Sequence, residues 1–308
     1  MPAITRGELG YLLEAGLRAD FFEAYRRQVE SAIYPQIATV IQTELPVQKY
    51  GWLGSVPAMR EFVDERMPKG LRVVNYTIQD TVWESTIAVE RRALEDEQIG
   101  AIRLRVQDLG REAARHKDYL VVKALLDGFT TACYDGQPLF SSAHTEGDSG
   151  AQSSLTNQPL SPDSLQSAIS AMMLFKDDQG VPLGILPDTL VVGPRLRWAA
   201  MELLESQVVV VKAGTGSSTP YRNVLEGALR LVVSPYITGN QWFVLDTSRA
   251  VRAVILQERS DVPVDFSALE DPSVSESVFL RDVVYYGARA RYGVGYGLWQ
   301  TAYGGNAS

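Results

Sequence analysis

The stretch from Ile99 to Phe129 constrains the fold more than any other part of the chain. Ile99, Ile102, Val106, Leu109 and Ala113, then Leu120 and Ala124, recur in steps of three and four residues, the period of a single helix face. At ~1.5 Å per residue, a helix of that length would run about 45 Å, longer than most helices of globular domains. Such a rod must lie across the rest of the molecule with its apolar stripe against a sheet. Two residues could divide it. Gly110 costs about 1 kcal/mol relative to alanine inside a helix, and Asp118 could cap a fresh start, so one continuous helix and two collinear pieces both fit the pattern.

Upstream, Leu9, Leu12, Leu13, Leu17, Phe21, Phe22, Tyr25 and Val29 predict an amphipathic helix over 7–30, with Gly16 as a place where it could break. Lys49 to Gly54 is a turn-rich aromatic stretch, and a short helical pattern through Met59, Phe62 and Val63 stops at Pro68-Lys69-Gly70. Leu71 to Gln79 and Thr81 to Arg91 are rich in β-branched and aromatic residues and meet at Gln79-Asp80. They predict a β-hairpin that forms an exposed arm.

Downstream, Cys133 to Pro138 is a turn, and Glu146 to Gln158, nearly devoid of apolar residues, predicts a mobile loop. Ser161-Pro162 is a helix start, with Leu165, Ile169, Met172 and Met173 as the expected buried face. Strands are predicted at Thr189–Val192, Val208–Val211, Leu229–Val233, Trp242–Leu245 and Val251–Leu256, with a helix restarting at Gly193-Pro194. Residues 160–256 therefore read as a mixed α/β unit. From Val278 to Tyr303 the chain is tyrosine- and glycine-rich with little charge, as expected of a buried strand passing into a packed tail.

Composition removes several function classes. A chain of 308 residues with 45% hydrophobic and 21% charged content can bury a large core. Cys133 is the only cysteine and His116 and His144 the only histidines, which excludes an internal disulfide and argues against a cysteine- or histidine-rich metal centre. No run approaches the ~18 apolar residues of a membrane span, and the N-terminus lacks the apolar core of a signal peptide. Lys and Arg number 29 against 37 Asp and Glu, a net charge of −8, opposite to the basic footprint of a phosphate-gripping protein.

Three stretches in order carry a family resemblance. They are Tyr50-Gly51-Trp52-Leu53-Gly54 with Met59 to Phe62 and Glu65-Arg66; Cys133 to Phe140 with Ser142-Ala143-His144; and Arg289 to Gly304. Together, at this spacing, the chain resembles the Mu-like prophage major head subunit family. One departure is Lys117, where family members often have proline. The resemblance implies an α+β Hong Kong 97-type major capsid fold. Its expected parts are an N-terminal arm (1–46), an extended β-hairpin loop (47–92), a peripheral domain with a long spine helix (93–154), an axial α/β domain (155–259) and a return to the peripheral domain (260–308).

The same resemblance implies self-assembly into pentamers and hexamers of an icosahedral shell that encloses double-stranded DNA without sequence-specific binding. It implies no enzymatic activity, cofactor, metal or membrane contact. The subunit would assemble in the host cytoplasm and end in the virion capsid. The chain starts almost directly at its arm, so scaffold, maturation protease and portal are expected as separate proteins. An encapsulin-like compartment is the rival within this fold.

Several residues invite sharper readings. Cys133, Asp135 and His144 have the residue types of a cysteine nucleophile, against the plainer reading of a turn beside a packed thiol. Gly214 to Thr219 could cradle a phosphate but lacks the Gly-Lys-Ser/Thr ending. Glu90, Glu95, Asp96 and Glu97 could hold a metal, or simply sit at a helix start where the dipole favours acids. Tyr50, Trp52, Arg60, Arg66, Tyr76 and Trp83 lie on the proposed arm, which has no core of its own, so they are the candidate inter-subunit contacts.

Overall fold

The computed structural model describes residues 6–50, 76–92, 99–212, 218–261, 263–269 and 276–307. The chain opens with α1 (Arg6–Glu30), α2 (Tyr34–Ile37), β1 (Ala38–Thr43) and β2 (Val47–Tyr50), followed by β3 (Tyr76–Gln79), β4 (Thr81–Glu90) and the spine helix α3 (Ile99–Asp127). Three two-residue strands come next: β5 (His144–Thr145), β6 (Ala151–Gln152) and β7 (Leu155–Thr156). Then follow α4 (Pro162–Met173), β8 (Thr189–Val192), a 3-10 turn (Pro194–Leu196) and α5 (Arg197–Glu205). The rest is β9 (Val208–Lys212), β10 (Ser218–Arg222), β11 (Arg230–Val233), β12 (Trp242–Leu245), β13 (Val254–Arg259), β14 (Asp265–Leu269), α6 (Glu276–Arg281), β15 (Val283–Tyr296) and β16 (Ala302–Gly305).

The spine is one unbroken helix of 29 residues, and α1 is also continuous past Gly16. Both candidate break points do something else. A Cβ on Gly110 would stand 2.5 Å from the Phe21 carbonyl oxygen, so glycine lets the backbones of α1 and α3 cross closely. Asp118 caps a different helix: its Oδ1 accepts the backbone N–H groups of Ile33 (2.8 Å) and Tyr34 (2.7 Å) at the start of α2. The apolar stripe is buried at Ile102, Val106 and Leu109, whereas Ile99 is exposed and, beyond Ala113, the buried face passes to Ala114, Val121, Val122 and Leu125, leaving Leu120 and Ala124 half-buried. Ile102, Val106 and Leu109 join Leu17 and Phe21 of α1, Phe266 of β14 and Val284, Tyr286 and Ala288 of β15 in one core, with Phe21, Val106 and Tyr286 wholly buried.

Off that stripe, Arg103 keeps 56% of its side chain exposed but is not free. It clamps Asp20 of α1 through two nitrogens, at 2.6 and 3.0 Å, and this holds the Asp20 carboxyl below the usual aspartate range. A group depressed in the folded state stabilises above its unfolded pKa and loses that contribution as pH falls through the folded value. Urea melts are therefore expected to show stability eroding below about pH 5, and Asp20→Asn should flatten that part of the curve. An unchanged acid limb would remove Asp20 from the account.

β15 is the hub of the peripheral sheet. It pairs antiparallel with β13, β14 and, over ten residues from Thr81↔Tyr292 to Glu90↔Val283, with β4, while β1 runs parallel to β13. This corrects the expected hairpin: β3 and β4 do not pair with each other. β3 pairs with β2 instead, with Tyr50 opposite Tyr76. The Gln79-Asp80 signal marks the step from one ladder to the other. There the buried Asp80 carboxylate is held by Arg291 at 3.0 Å and Arg259 at 3.3 Å.

A second sheet, in the order β11-β8-β12-β16-β7, carries the axial unit. Leu165, Ala168 and Met172 of α4 pack into its core, and Ser161 caps α4 as a reciprocal box with Ser164. Met173, expected on that buried face, is 48% exposed instead. β13 begins three residues later than read and belongs to the peripheral sheet, and the chain's end crosses back to supply β16 to the axial one. That crossing depends on glycine, since a Cβ on Gly305 would fall 2.1 Å from the Trp242 ring. The polar loop 146–158 is not loose either. It holds β6 and β7, and the side chains of Glu146, Ser149 and Ser154 are buried within it.

Candidate functional site: the arm base, the Cys133 cluster and the exposed apolar groups

Three of the six residues expected at subunit contacts lie within the subunit's own packing. Tyr50 is 1% exposed, and its hydroxyl donates to Gln257 Oε1 at 3.0 Å, so its ring has no surface left for a neighbour. The half-buried Tyr76 accepts the Tyr296 N–H at 2.9 Å. Trp83 donates its indole N–H to the Tyr292 carbonyl at 3.1 Å and packs 4.5 Å from the His116 ring. Only one side of Trp83 stays open, onto a cleft of about 360 Å³ shared with Tyr119 and Tyr236. The physical reason is that β3 and β4 are strands of the sheets themselves and not a free arm. Trp52, Arg60 and Arg66 lie outside the described residues, as do residues 213–217 of the glycine-rich loop and Glu95, Asp96 and Glu97.

Cys133, Asp135 and His144 do come together, but in an order that opposes nucleophilic chemistry. Asp135 sits in the middle. Its Oδ1 accepts the Cys133 thiol at 3.0 Å and the Gln137 N–H at 3.0 Å, while its Oδ2 lies 2.6 Å from His144 Nδ1. A nucleophile needs the imidazole against the sulfur and the carboxylate behind the imidazole. Burial, and then the Asp135 carboxylate, push the Cys133 thiol far above its ordinary range. Burial would raise Asp135 too, but hydrogen bonds from His144, Cys133 and Gln137 outweigh it and hold the carboxyl low. His144 is fully buried, stacked 4.0 Å from the Trp299 ring, with Nε2 3.0 Å from Ser154 Oγ. Beside it, Glu146 accepts the Trp299 N–H at 2.9 Å and the Tyr134 hydroxyl.

The whole constellation is a polar clamp. It ties the turn after the spine to the loop 144–154 and to the chain's end. Thiol reagents are thus expected to leave Cys133 unmodified in the folded protein and to titrate it fully in denaturant. Rapid labelling of the native protein would contradict the clamp reading.

Exposure points elsewhere for contact groups. Trp198 is 70% exposed, Phe279 73%, Leu280 66% and Val224 77%. Sequence reasoning did not single these out, although a signal existed for Trp198. Ala200 and Leu204 are the buried positions of α5, which turns Trp198 to the opposite face.

A spine helix laid across a β15-centred sheet and an α/β axial unit stitched to it by the C-terminal strand define the tailed-phage major capsid fold of the Hong Kong 97 type. The procapsid of bacteriophage JBD30 matches 99% of this chain and 77% of that one, with a TM-score of 0.56 and 26% identity. The chain belongs to the Mu-like prophage major head subunit gpT family, which it matches over residues 11–159, 151–237 and 238–308. It is 28% identical over 271 residues to the Mu-like prophage FluMu major head subunit of Haemophilus influenzae, and 27% identical over 270 residues to the major capsid protein of Escherichia phage Mu. Those alignments cover 88% and 87% of this chain but 65% of each relative, so the chain spans about two thirds of their length. A virus-like particle from Pyrococcus furiosus shares the fold, with a TM-score of 0.54 at 12% identity.

Proposed function

We propose that this chain is the shell-forming subunit of a Mu-like phage or prophage head. Copies associate through their axial units into rings of five and six, and the rings close into an icosahedral shell around double-stranded DNA. The observation that carries this reading is the fit of the whole chain to a procapsid subunit at 26% identity, together with membership of a head-subunit family. An encapsulin-like compartment would use the same fold, but the family match is to a phage head subunit. Many weak contacts per copy make a closed shell far more stable than any one of them. The net charge of −8 is opposite to the basic footprint of a phosphate-gripping protein, so in this reading the genome is enclosed and not gripped. Scaffold, maturation protease and portal are separate chains in this reading, and the subunit itself catalyses nothing.

The loop between β2 and β3 provides the test. Because Tyr50 and Tyr76 are paired neighbours, replacing 51–75 by a short Gly-Asn turn can close the ladder without stretching it. The excised subunit is expected to keep its melting temperature within a few degrees and to fail to form closed particles. Normal particles from the excised chain would contradict the role given to the loop. Collapse of the fold would mean that the segment belongs to the core.

A further inference from the structure

Helix α5 carries its charges against its own dipole. Arg195, in the turn leading into it, and Arg197 stand at its start, while Glu202 and Glu205 stand toward its end. Its first turn has no acidic residue and its last no basic one. A helix favours anions at its N-terminus and cations at its C-terminus, so all four charges sit where the isolated helix repels them. All four are exposed, and none forms an ion pair with another described residue. Trp198, Glu202 and Glu205 follow in steps of four and three on the outward face, opposite the buried Ala200 and Leu204. Trp198 is 70% exposed, with the Arg197 guanidinium 5.2 Å from its ring centroid. Among the described residues, the Arg197 contact with Trp198 is the one favourable interaction of these four charges, and it leaves the unfavourable dipole placement uncompensated.

We infer that α5 is an interface helix between copies of this chain, with the Arg195/Arg197 end of one copy set against the Glu202/Glu205 end of the next and Trp198 buried between them. A second copy is the occupant because the required partner must offer acids to the basic end and bases to the acidic end. α5 itself offers both, bases at one end and acids at the other, so one neighbour can meet its basic end and another its acidic end. Used head to tail, such a contact generates a ring. Trp and Arg are also the residue types that dominate binding energy at interface centres. The inference rests on the shell reading and adds to it the residues that would join neighbouring copies.

Reversing the charges tests it. Arg195→Glu with Arg197→Glu makes the helix acidic at both ends, and Glu202→Lys with Glu205→Lys makes it basic at both. Each double variant should weaken self-association at least about tenfold in sedimentation velocity, through like-charge contact. Each should also leave the melting temperature of the dissociated subunit unchanged or raised, because the new charges suit the dipole. The fourfold variant, with both ends reversed, should regain association to within about threefold of the parent chain. Association of both double variants at the parent level would overturn the inference, as would a folded fourfold variant that stays dissociated. In either case particles formed by the parent chain would leave the shell reading standing. A parent chain that never associates overturns both.

Discussion

Val106→Asp is expected to remove most of the subunit's folding stability. Val106 is fully buried where α1, the spine and the β15 sheet meet, and no cation lies in that apolar cluster to pair with a new carboxylate. An unpaired buried charge costs about 3–5 kcal/mol, to which the lost burial of the valine adds, against a total stability of about 5–15 kcal/mol for a typical domain. Arg111→Glu on the same helix is the control. Arg111 makes only a surface pair with Asp108, at 2.8 Å, so its reversal should change stability by less than about 1 kcal/mol. Circular dichroism and hydrogen exchange on the free subunits separate the two. Equal damage from both would mean that the spine is buried on both faces.

The second large effect is expected at Lys117, which sits on the spine with its ammonium buried. Its Nζ lies 2.7 Å from Glu258 Oε1 of β13, and the rings of Tyr25, Tyr34 and Tyr292 surround it at 5.6–5.7 Å. Burial alone would lower the lysine pKa, but Tyr25 and Glu258 carry it upward, so the charge is kept. Glu258→Leu strands that charge and should destabilise by about 3–5 kcal/mol. Lys117→Met combined with Glu258→Leu should recover most of the loss, since a well-packed apolar pair often matches a buried ion pair. Chemical denaturation of the four chains closes this cycle. A double variant as unstable as Glu258→Leu alone would show that the tyrosine cage needs the cation.

Much of the fold was legible because it follows from local period and punctuation. The first half of the spine stripe, the Ser161 cap, the Trp242–Leu245 strand and the helix after Gly193-Pro194 all stand where the pattern places them. The misreadings share one cause: a local signal served a distant partner. Gly110 looked like a helix defect and is a crossing point for α1; Asp118 looked like a cap for its own helix and caps α2. Asp80 looked like a hairpin turn and is a buried carboxylate between two arginines brought in from β13 and β15. The Cys133, Asp135 and His144 types were readable, whereas their order in space, which decides the chemistry, was not.

Contact residues were the least legible part. Aromatic content drew attention to Tyr50, Tyr76 and Trp83, yet exposure is set by which strand pairs with which, and for Trp83 that partner is Ala290, far along the chain. Trp198 hid inside an ordinary helical pattern. Only the buried positions on the other side of α5 reveal that it faces out.

The central claim is that this chain builds a shell, and particle formation by the purified protein tests it most directly. Size-exclusion chromatography followed by negative-stain microscopy, over a range of protein and salt concentrations, should give rings, or hollow closed particles, in equilibrium with free subunits. A single small oligomer that persists at every concentration, with no ring or particle on the grid, would contradict the account.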